Sequence, residues 1–277
     1  MPELPELEAF KWYVKEHCLN KVISQVTSTD ARVIKAISLT TFKKDIVHNK
    51  FSNADRRGKY LIISLSPSEK KLVIHFALTG SLEFIKKKDL KTRFSAVSFI
   101  FKDHSVLHFK SVRKFEKIWL VDNTDQIKGI TQLGPDALNL SNKDFTQIAL
   151  AKKKKNVKSF LMDQKLIAGI GNEYTDEILF QSNIDPHHRV GDLSEAQLKT
   201  IYKEMRKILL YAIKLRIKNI KKSVHDLFSD ESSKRFKSSY LQSHRHIDMI
   251  CPKNRNHKLK KTSIAGRSTY YCPKDQV

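Results

Sequence analysis

The sequence is poor in cysteine, in acidic residues and in long apolar runs. Its 3 cysteines cannot form a disulfide framework. No apolar stretch approaches the roughly 20 residues that span a bilayer. The N-terminus is acidic and interrupted by proline, unlike the basic and then apolar start of a signal peptide. We therefore expect a cytoplasmic protein with no membrane partner.

Basic residues are in large excess, with 52 Lys and Arg against 29 Asp and Glu. Such an excess raises the affinity for polyanions through counterion release. Nucleic acid is the partner that this charge favours, although a membrane surface or a generally lysine-rich proteome would also account for it. Apolar residues make up 40% of the chain, which favours a buried core over disorder.

The residue pattern changes twice along the chain. Residues 2–18 are typical of a helix, with prolines confined to its first turn. Residues 21–120 contain short strand-like runs separated by turns, which predicts an antiparallel sandwich or barrel. Beyond Leu133 the pattern is helical, and residues 217–240 are basic and serine-rich, which predicts a loop or linker. We predict an α+β multidomain fold with domains at 1–132, 133–240 and 241–277.

Pro2 becomes a nucleophile if Met1 is removed, because the chain then begins with a secondary amine. An α-amino group has a pKa near ~7.7–8.0, so a usable fraction is unprotonated at neutral pH. Attack on a sugar C1′ gives an iminium ion, the electron sink that permits β-elimination of a neighbouring phosphate. Glu3 and Glu6 offer carboxylates on the same helix turn for acid–base work. The alternative is that the prolines simply mark the start of a helix.

Five segments carry recognisable motifs in a fixed order. They are Pro2-Glu3-Leu4-Pro5-Glu6, Arg56-Arg57-Gly58-Lys59-Tyr60-Leu61, Leu133-Gly134-Pro135-Asp136-Ala137-Leu138, Lys158–Gln164 with Ala168-Gly169-Ile170-Gly171-Asn172-Glu173-Tyr174, and Ala265-Gly266-Arg267. Together they resemble the formamidopyrimidine-DNA glycosylase/endonuclease VIII family. The opening segment is similar to that of the formamidopyrimidine branch.

This resemblance implies a fold, a partner and a set of site residues. The fold would be an N-terminal helix on an antiparallel β-sandwich, a helix–two-turn–helix domain and a C-terminal β-hairpin finger, with DNA in the cleft between the domains. The implied catalytic residues are Pro2, Glu3, Glu6, Lys59 and Arg267, of which Lys59 and Arg267 would contact phosphates. The implied DNA-binding residues are Lys158, Gly171, Asn172, Leu78, Arg113 and Phe115, with Asn172 and helix N–H groups gripping phosphate.

Two segments that would enter the gap left by a flipped-out nucleotide depart from the family pattern. Leu78 stands where methionine is usual and is still an apolar wedge. Ser111-Val112-Arg113-Lys114-Phe115-Glu116 stands where Asp-Pro-Arg-Arg-Phe-Gly is typical. Arg113 and Phe115 remain available to read the orphaned base and to stack. The lost Asp, Pro and Gly leave the opposite-base preference open.

The lesion preference is also open, because the base-reading loop of the 8-oxoguanine enzymes is rich in glycine. Here that region is Lys221–Phe228, and the chain has no glycine between Gly191 and Gly266. Formamidopyrimidines and oxidised pyrimidines are therefore as compatible with the sequence as 8-oxoguanine is.

The finger of the family holds zinc with two Cys-x2-Cys pairs, and each pair has lost its second cysteine here. Zinc prefers four ligands in a tetrahedron. Cys251 and Cys272 remain, His257 could replace one missing ligand, and Asp275 could supply the fourth. Further candidates are His244 and His246. The alternative is a finger without zinc, in which hairpin pairing alone holds Arg267.

The sequence thus predicts a bifunctional DNA glycosylase and abasic-site lyase of base excision repair, removing oxidised bases from double-stranded DNA. The expected mechanism is a Schiff base on Pro2 followed by β- and δ-elimination. We expect a monomer of bacterial type, associated with the nucleoid, with no catalytic cofactor and at most a structural zinc. The alternatives are a catalytically weak or inactive relative that binds damaged or gapped DNA, and a general basic nucleic-acid-binding protein.

Overall fold

A computed structural model describes residues 1–86, 93–222 and 250–277. The helices are α1 Leu4–His17, α2 Leu39–Ile46, α3 Lys128–Thr131, α4 Asn142–Leu150, α5 Val157–Met162, α6 Asn172–Gln181 and α7 Glu195–Lys222. The strands are β1 Ile23–Ser28, β2 Ile34–Lys35, β3 Lys50–Arg57, β4 Tyr60–Ser66, β5 Lys71–His75, β6 Ser81–Ile85, β7 Ser95–Phe101, β8 Val106–Lys110, β9 Lys117–Val121, β10 Ile250–Cys251, β11 Asn254–Lys258, β12 Lys260–Ile264 and β13 Arg267–Tyr271. Helices and antiparallel sheets confirm the predicted α+β class.

The described residues form two compact units. The first comprises Met1–Thr131 and the end of helix α7 from Leu215; the second comprises Gln132–Lys214 and the C-terminal strands. Helix α7 runs on to Lys222, so the start of the predicted linker at 217 is wrong. The helix continues because Ile217 and Ile220 pack against the core of the first unit. In the described part of the chain, no helix is long and apolar enough to cross a membrane.

The first unit is built around two sheets and helix α1. One sheet has the order β1-β7-β8-β6 and the other β2-β9-β5-β4-β3. Strand β4 shows the alternation of a half-buried strand, with Leu61, Ile63 and Leu65 inside. Helix α1 adds Phe10, whose ring stacks on Phe76 with centroids 4.3 Å apart. These apolar side chains form one continuous core.

The second unit packs helices α4 to α7 and carries the finger. On helix α7, Leu198, Ile201 and Met205 are fully or almost fully buried, and their spacing places them on one face of the helix. A Cβ on Gly134 would lie 2.5 Å from the carbonyl oxygen of Lys165. Glycine is therefore required in the Leu-Gly-Pro-Asp segment. The finger has a small core of its own, formed by Phe180, Cys251, Leu259 and Cys272.

Candidate active site and finger

The N-terminus of helix α1 places two carboxylates behind an accessible chain end. Glu3 is the N-cap, and its backbone N–H donates to Glu6 Oε2 at 2.9 Å in a capping box. Glu3 is 2% and Glu6 8% exposed, whereas Met1 is exposed and Pro2 is half-buried. Both acids therefore lie in protein, directly next to a terminus that a ligand can reach.

Arg216 of helix α7 holds the second of these carboxylates. Its Nη2 and Nε lie 2.7 and 3.2 Å from Glu6 Oε1, and both side chains are almost fully buried. Sequence reasoning missed Arg216, because it lies 210 residues from Glu6 on a helix with no motif. Breaking such a buried pair leaves an uncompensated charge, so Arg216 fixes the position of the Glu6 carboxylate.

Lys59 lies in the turn between β3 and β4 and is 7% exposed. Gly58 has a φ of 54°, the left-handed conformation that glycine adopts without strain. Arg56 donates to the Gly58 carbonyl at 2.9 Å and to Glu8 Oε1 at 2.8 Å. The turn that carries Lys59 is therefore tied to helix α1, which contains Glu6 and begins directly after Pro2 and Glu3.

The positive charge of Lys59 is felt by its neighbour His75. Burial, together with the charges of Lys59 and Lys117, lowers the pKa of His75 to about 4. Its ring lies 4.9 Å from that of Tyr60. His75 is therefore neutral at physiological pH.

The structure brings the two predicted wedge segments together in the first unit. Leu78 is 40% and Phe115 60% exposed, and Arg113 is also exposed. The backbone N–H of Arg113 donates to Thr79 Oγ1 at 3.1 Å. Exposed apolar side chains on two joined loops are suited to insertion between bases.

Asn172 and Arg267 lie next to each other in the second unit. Arg267 follows a tight turn, in which Ala265 and Gly266 have φ values of 49° and 71°, the type of turn that matches strand twist. Asn172 Nδ2 donates to the carbonyl of Ser268 at 3.0 Å. Arg267 is exposed, and helix α6 begins after Gly171, which offers no capping side chain. The arrangement presents an arginine and a helix N-terminus side by side.

Lys158 is fully buried. Its Nζ donates to Asp176 Oδ1 at 2.6 Å, Thr269 Oγ1 at 2.7 Å and the Ser268 carbonyl at 3.0 Å. These contacts connect helices α5 and α6 to strand β13, immediately beside Arg267. Lys158, for which the family resemblance implied a DNA-binding role, is thus held by protein groups.

The finger gathers the remaining sulfur, carboxylate and imidazole groups. The ligand atoms of Cys251, Cys272 and Asp275 lie within 4.8 Å of one another, and both cysteines are buried. The two Sγ atoms lie 3.0 and 2.9 Å from Asp275 Oδ2, and His257 Nδ1 lies 3.0 Å from both carboxylate oxygens. Hydrogen bonds from both cysteines and His257 lower the pKa of Asp275.

These donors can be tested against zinc. Tetrahedral zinc with bonds of about 2.0–2.3 Å places its ligand atoms roughly 3.3–3.8 Å apart, and the ligand atoms of Cys251, Cys272 and Asp275 all lie within 4.8 Å of one another. The donor set is therefore compatible with a structural zinc ion. His257 reaches the group through Asp275. The other candidates, His244 and His246, lie outside the described residues, as does the part of the predicted base-reading loop beyond Lys222.

Two family models match the chain. The formamidopyrimidine-DNA glycosylase N-terminal domain matches residues 1–118, and the formamidopyrimidine-DNA glycosylase H2TH domain matches residues 133–224. Among curated proteins, the formamidopyrimidine-DNA glycosylase of Pelotomaculum thermopropionicum is 33% identical over 276 residues, 99% of this chain and 98% of that protein. That of Mycoplasma mobile is 33% identical and covers 100% of this chain and 99% of its own length.

Solved structures show the same likeness. The formamidopyrimidine-DNA glycosylase of Lactococcus lactis, bound non-covalently to DNA with an AP site, superimposes with a TM-score of 0.83 at 25% identity over 99% of both chains. The wild-type enzyme bound to DNA containing N7-benzyl-Fapy-dG gives a TM-score of 0.86 at 25% identity, again over 99% of both chains. Fold and site thus define a class of DNA glycosylases of base excision repair. The chain belongs to the formamidopyrimidine-DNA glycosylase family, which confirms the resemblance seen in its sequence.

Proposed function

We propose that this protein is a bifunctional DNA glycosylase and abasic-site lyase that uses Pro2 as its nucleophile. The observation that carries the proposal is the buried chain from Arg216 to Glu6 to Glu3 behind an accessible N-terminus. A protein that only binds DNA has no physical need for two desolvated carboxylates at this position. The relatives whose structures contain AP-site or Fapy-dG DNA support the substrate class.

The reaction begins once Met1 has been removed. The lone pair of the Pro2 nitrogen forms a bond to C1′ of a flipped-out nucleotide, and the glycosidic bond breaks with its electron pair on the departing base. Glu3 transfers the proton that this exchange requires. The sugar ring then opens: the Pro2 nitrogen, having lost its proton, forms a double bond to C1′, and the C1′–O4′ bond breaks with its electron pair on O4′, which takes up a proton. The resulting iminium ion acidifies the C2′ hydrogen, so that the 3′ phosphate leaves by β-elimination and the 5′ phosphate by δ-elimination.

Cationic and polar groups hold the phosphates during these steps. Lys59 is fixed beside helix α1 through Arg56 and Glu8, which suits contact with the phosphate of the damaged nucleotide. Arg267 and Asn172 are adjacent and suit the flanking phosphates. Lys158 supports these contacts indirectly, because its hydrogen bonds hold Ser268 and Thr269 in place next to Arg267. Leu78, Arg113 and Phe115 fill the gap and face the orphaned base.

A borohydride trapping experiment tests the proposal. The full chain is incubated with a duplex carrying an abasic site, and the covalent adduct is measured by gel shift. We expect an adduct with the wild type and much less with Pro2→Gly, because the primary amine of glycine gives an imine that must take up a proton to become the iminium ion that a secondary amine forms directly. Pro5→Ala in the same helix turn is the matched control and keeps the adduct. A wild type that binds the duplex without forming an adduct would leave only a DNA-binding function.

The preferred lesion is tested with the same protein. Duplexes carrying 8-oxoguanine, formamidopyrimidine, dihydrouracil or hydroxyuracil are compared by their rates of base release under single-turnover conditions. We propose oxidised bases as the substrate class, so at least one of these duplexes is cleaved faster than an undamaged control. Equal rates on all of them and on the control would limit the protein to abasic sites.

We further propose a structural zinc in the finger, held by Cys251, His257, Cys272 and Asp275. When bound, zinc supplies no chemistry to the reaction and only stabilises the finger beneath Arg267. Metal analysis of the purified protein should give one zinc per chain, falling towards zero in Cys251→Ser/Cys272→Ser. Cys18→Ser, a buried cysteine of the first unit, is the control. If the wild type contains no zinc, strand pairing within the hairpin holds the finger without a metal ion.

A further inference from the structure

Two loops of the first unit meet at a buried carboxylate. The first loop joins β5 to β6 and carries Leu78 and Thr79; the second joins β8 to β9 and carries Arg113 and Phe115. At the end of the second loop, Glu116 is only 1% exposed. An acid this deeply buried beside an exposed apolar surface is costly unless its oxygens accept hydrogen bonds.

Glu116 accepts hydrogen bonds from both loops. Its Oε1 accepts from the backbone N–H of Thr79 at 3.1 Å and from Thr79 Oγ1 at 2.8 Å. Its Oε2 accepts from Ser111 Oγ at 2.5 Å. Thr79 Oγ1 in turn accepts from the backbone N–H of Arg113 at 3.1 Å. One carboxylate therefore joins the start and end of the second loop to the tip of the first.

The backbone of the first loop is shaped to receive this carboxylate. A Cβ on Gly80 would lie 2.8 Å from Glu116 Cγ, 2.7 Å from the Phe76 carbonyl oxygen and 2.9 Å from Phe76 Cα. The Phe76 backbone alone requires glycine at this position, and the absence of a side chain there also leaves room for Glu116. The two residues that hold the second loop also differ from the family pattern. The typical loop begins with Asp and ends with Gly, whereas this loop begins with the hydroxyl of Ser111 and ends with the carboxylate of Glu116.

We propose that Glu116 is a positioning residue that makes the two loops one element and thereby sets the opposite-base preference. Leu78, Arg113 and Phe115 project from a single hydrogen-bonded frame, so their spacing exists before DNA arrives. This frame takes over the stiffness that proline and glycine would give the second loop. Fixed spacing favours the orphaned base that fits it and disfavours the others. The inference rests on the proposed function, because it needs these side chains to enter DNA.

The test compares Glu116→Ala with Glu116→Gln. Alanine removes every acceptor. Glutamine keeps Oε1 for Thr79, and its Nε2 donates to Ser111 Oγ, so it should behave like the wild type. Thr79→Val removes the shared hydroxyl while leaving Glu116 intact, and it decides the matter if Glu116→Ala fails to fold. Glu83→Ala, which breaks an ion pair with Lys110 in the neighbouring strands β6 and β8, is the matched control.

The measured quantity is binding to duplexes with a tetrahydrofuran abasic analogue opposite each of A, C, G and T. This binding measurement requires no bond cleavage, so its outcome for the role of Glu116 does not depend on whether the protein is a lyase. We expect the ratio between the tightest and weakest duplex to shrink more than ~5-fold in Glu116→Ala and Thr79→Val. Glu116→Gln and Glu83→Ala should keep the wild-type ratio.

Ratios unchanged within about twofold in folded Glu116→Ala, confirmed in Thr79→Val, would overturn the inference even if Pro2 forms its adduct. The same holds if Glu116→Gln loses the preference as completely as alanine does, because the frame would then not depend on the hydrogen bonds. Loss of preference in the variants alongside a wild type that forms no adduct would instead uphold the frame and reject the lyase.

Discussion

The N-terminal end of helix α1 in the first unit and the finger of the second unit each contain a buried ion pair, with different consequences. Arg216–Glu6 lies behind the backbone of Glu3, so it orients a group that is proposed to react. Lys158–Asp176 lies beneath strand β13 and holds backbone and a hydroxyl. The first pair needs the forked donor of arginine. The Lys158–Asp176 pair needs only a hydrogen-bond network in which every polar group has a partner. Such a network can support strand β13 in a finger that lacks two of the family's four cysteines.

The largest expected effect lies at the finger. Lys158→Met keeps the volume but leaves Asp176 buried without its cation, which should cost about 3–5 kcal/mol of the second unit's stability. Amide hydrogen exchange in strand β13 measures it. Lys165→Met, at an exposed position, is the control. If the free energy of exchange in β13 stays within about 1 kcal/mol of the wild type, the finger does not depend on the buried Lys158–Asp176 pair.

The next effect concerns acid and the first unit. His75 has a folded pKa of about 4 against 6.5, so between these values the unfolded chain binds a proton that the folded unit does not. Stability is therefore present above pH 6.5 and falls as the pH drops towards 4, by up to about 3 kcal/mol. Both tryptophans, Trp12 and Trp119, lie in this unit, so their fluorescence in denaturant reports it.

The control for this pH effect is a pair of variants. His75→Gln removes the titrating ring and should flatten the slope between pH 6.5 and 4. His104→Asn, at an exposed left-handed position that asparagine tolerates, should leave the slope unchanged. A slope that survives in His75→Gln would assign the acid sensitivity to other groups.

A smaller effect is expected on the rate. Arg216→Lys keeps the charge but replaces two donors to Glu6 by one, and we expect kcat for abasic-site cleavage to fall about tenfold at unchanged KM. Arg206→Lys on the same helix, where Arg206 donates to the Leu138 carbonyl, should retain the wild-type kcat. A rise in KM with constant kcat would place Arg216 in DNA binding instead.

The smallest effect is expected at the finger tip. Gly266→Ala puts a side chain at a φ of 71°, which costs about 1 kcal/mol although nothing lies within 4 Å of the new Cβ. Ala265→Gly relieves a positive φ and serves as the opposite control. Thermal unfolding monitored by amide exchange in β12 and β13 compares them. Equal shifts in both variants would mean that the turn's conformation does not limit the finger.

The features that could be predicted from the sequence are those that depend on short, continuous segments of the chain. Motif spacing and strand alternation were enough for the α+β class and the family, and Cys272 to Asp275 keeps the interval of a metal-binding pair. The convergence of Asn172 and Arg267 follows from the same motifs. The predicted catalytic and DNA-binding roles remain predictions.

What the sequence could not show depends on contacts between distant segments. A lysine in a basic chain is expected at the surface, and only the fold shows that Asp176 and Thr269 enclose Lys158. Residues 217–222 were assigned to a linker because their composition is basic, yet Ile217 and Ile220 hold them in a helix. Likewise, the sequence showed at position 116 only that the glycine of the family pattern is replaced by glutamate. Its bonds to Thr79 and Ser111 require the folded loops.

The stack of Phe10 on Phe76 has a consequence for thermal motion. Phe10 lies on the helix that begins beside Pro2, and Phe76 lies two residues before Leu78. Dense packing transmits displacements instead of absorbing them. Fluctuations of the chain end and of the wedge should therefore be correlated, so that the distance between them varies less than either position does. A nucleotide displaced by Leu78 would then meet the amine at a nearly constant separation.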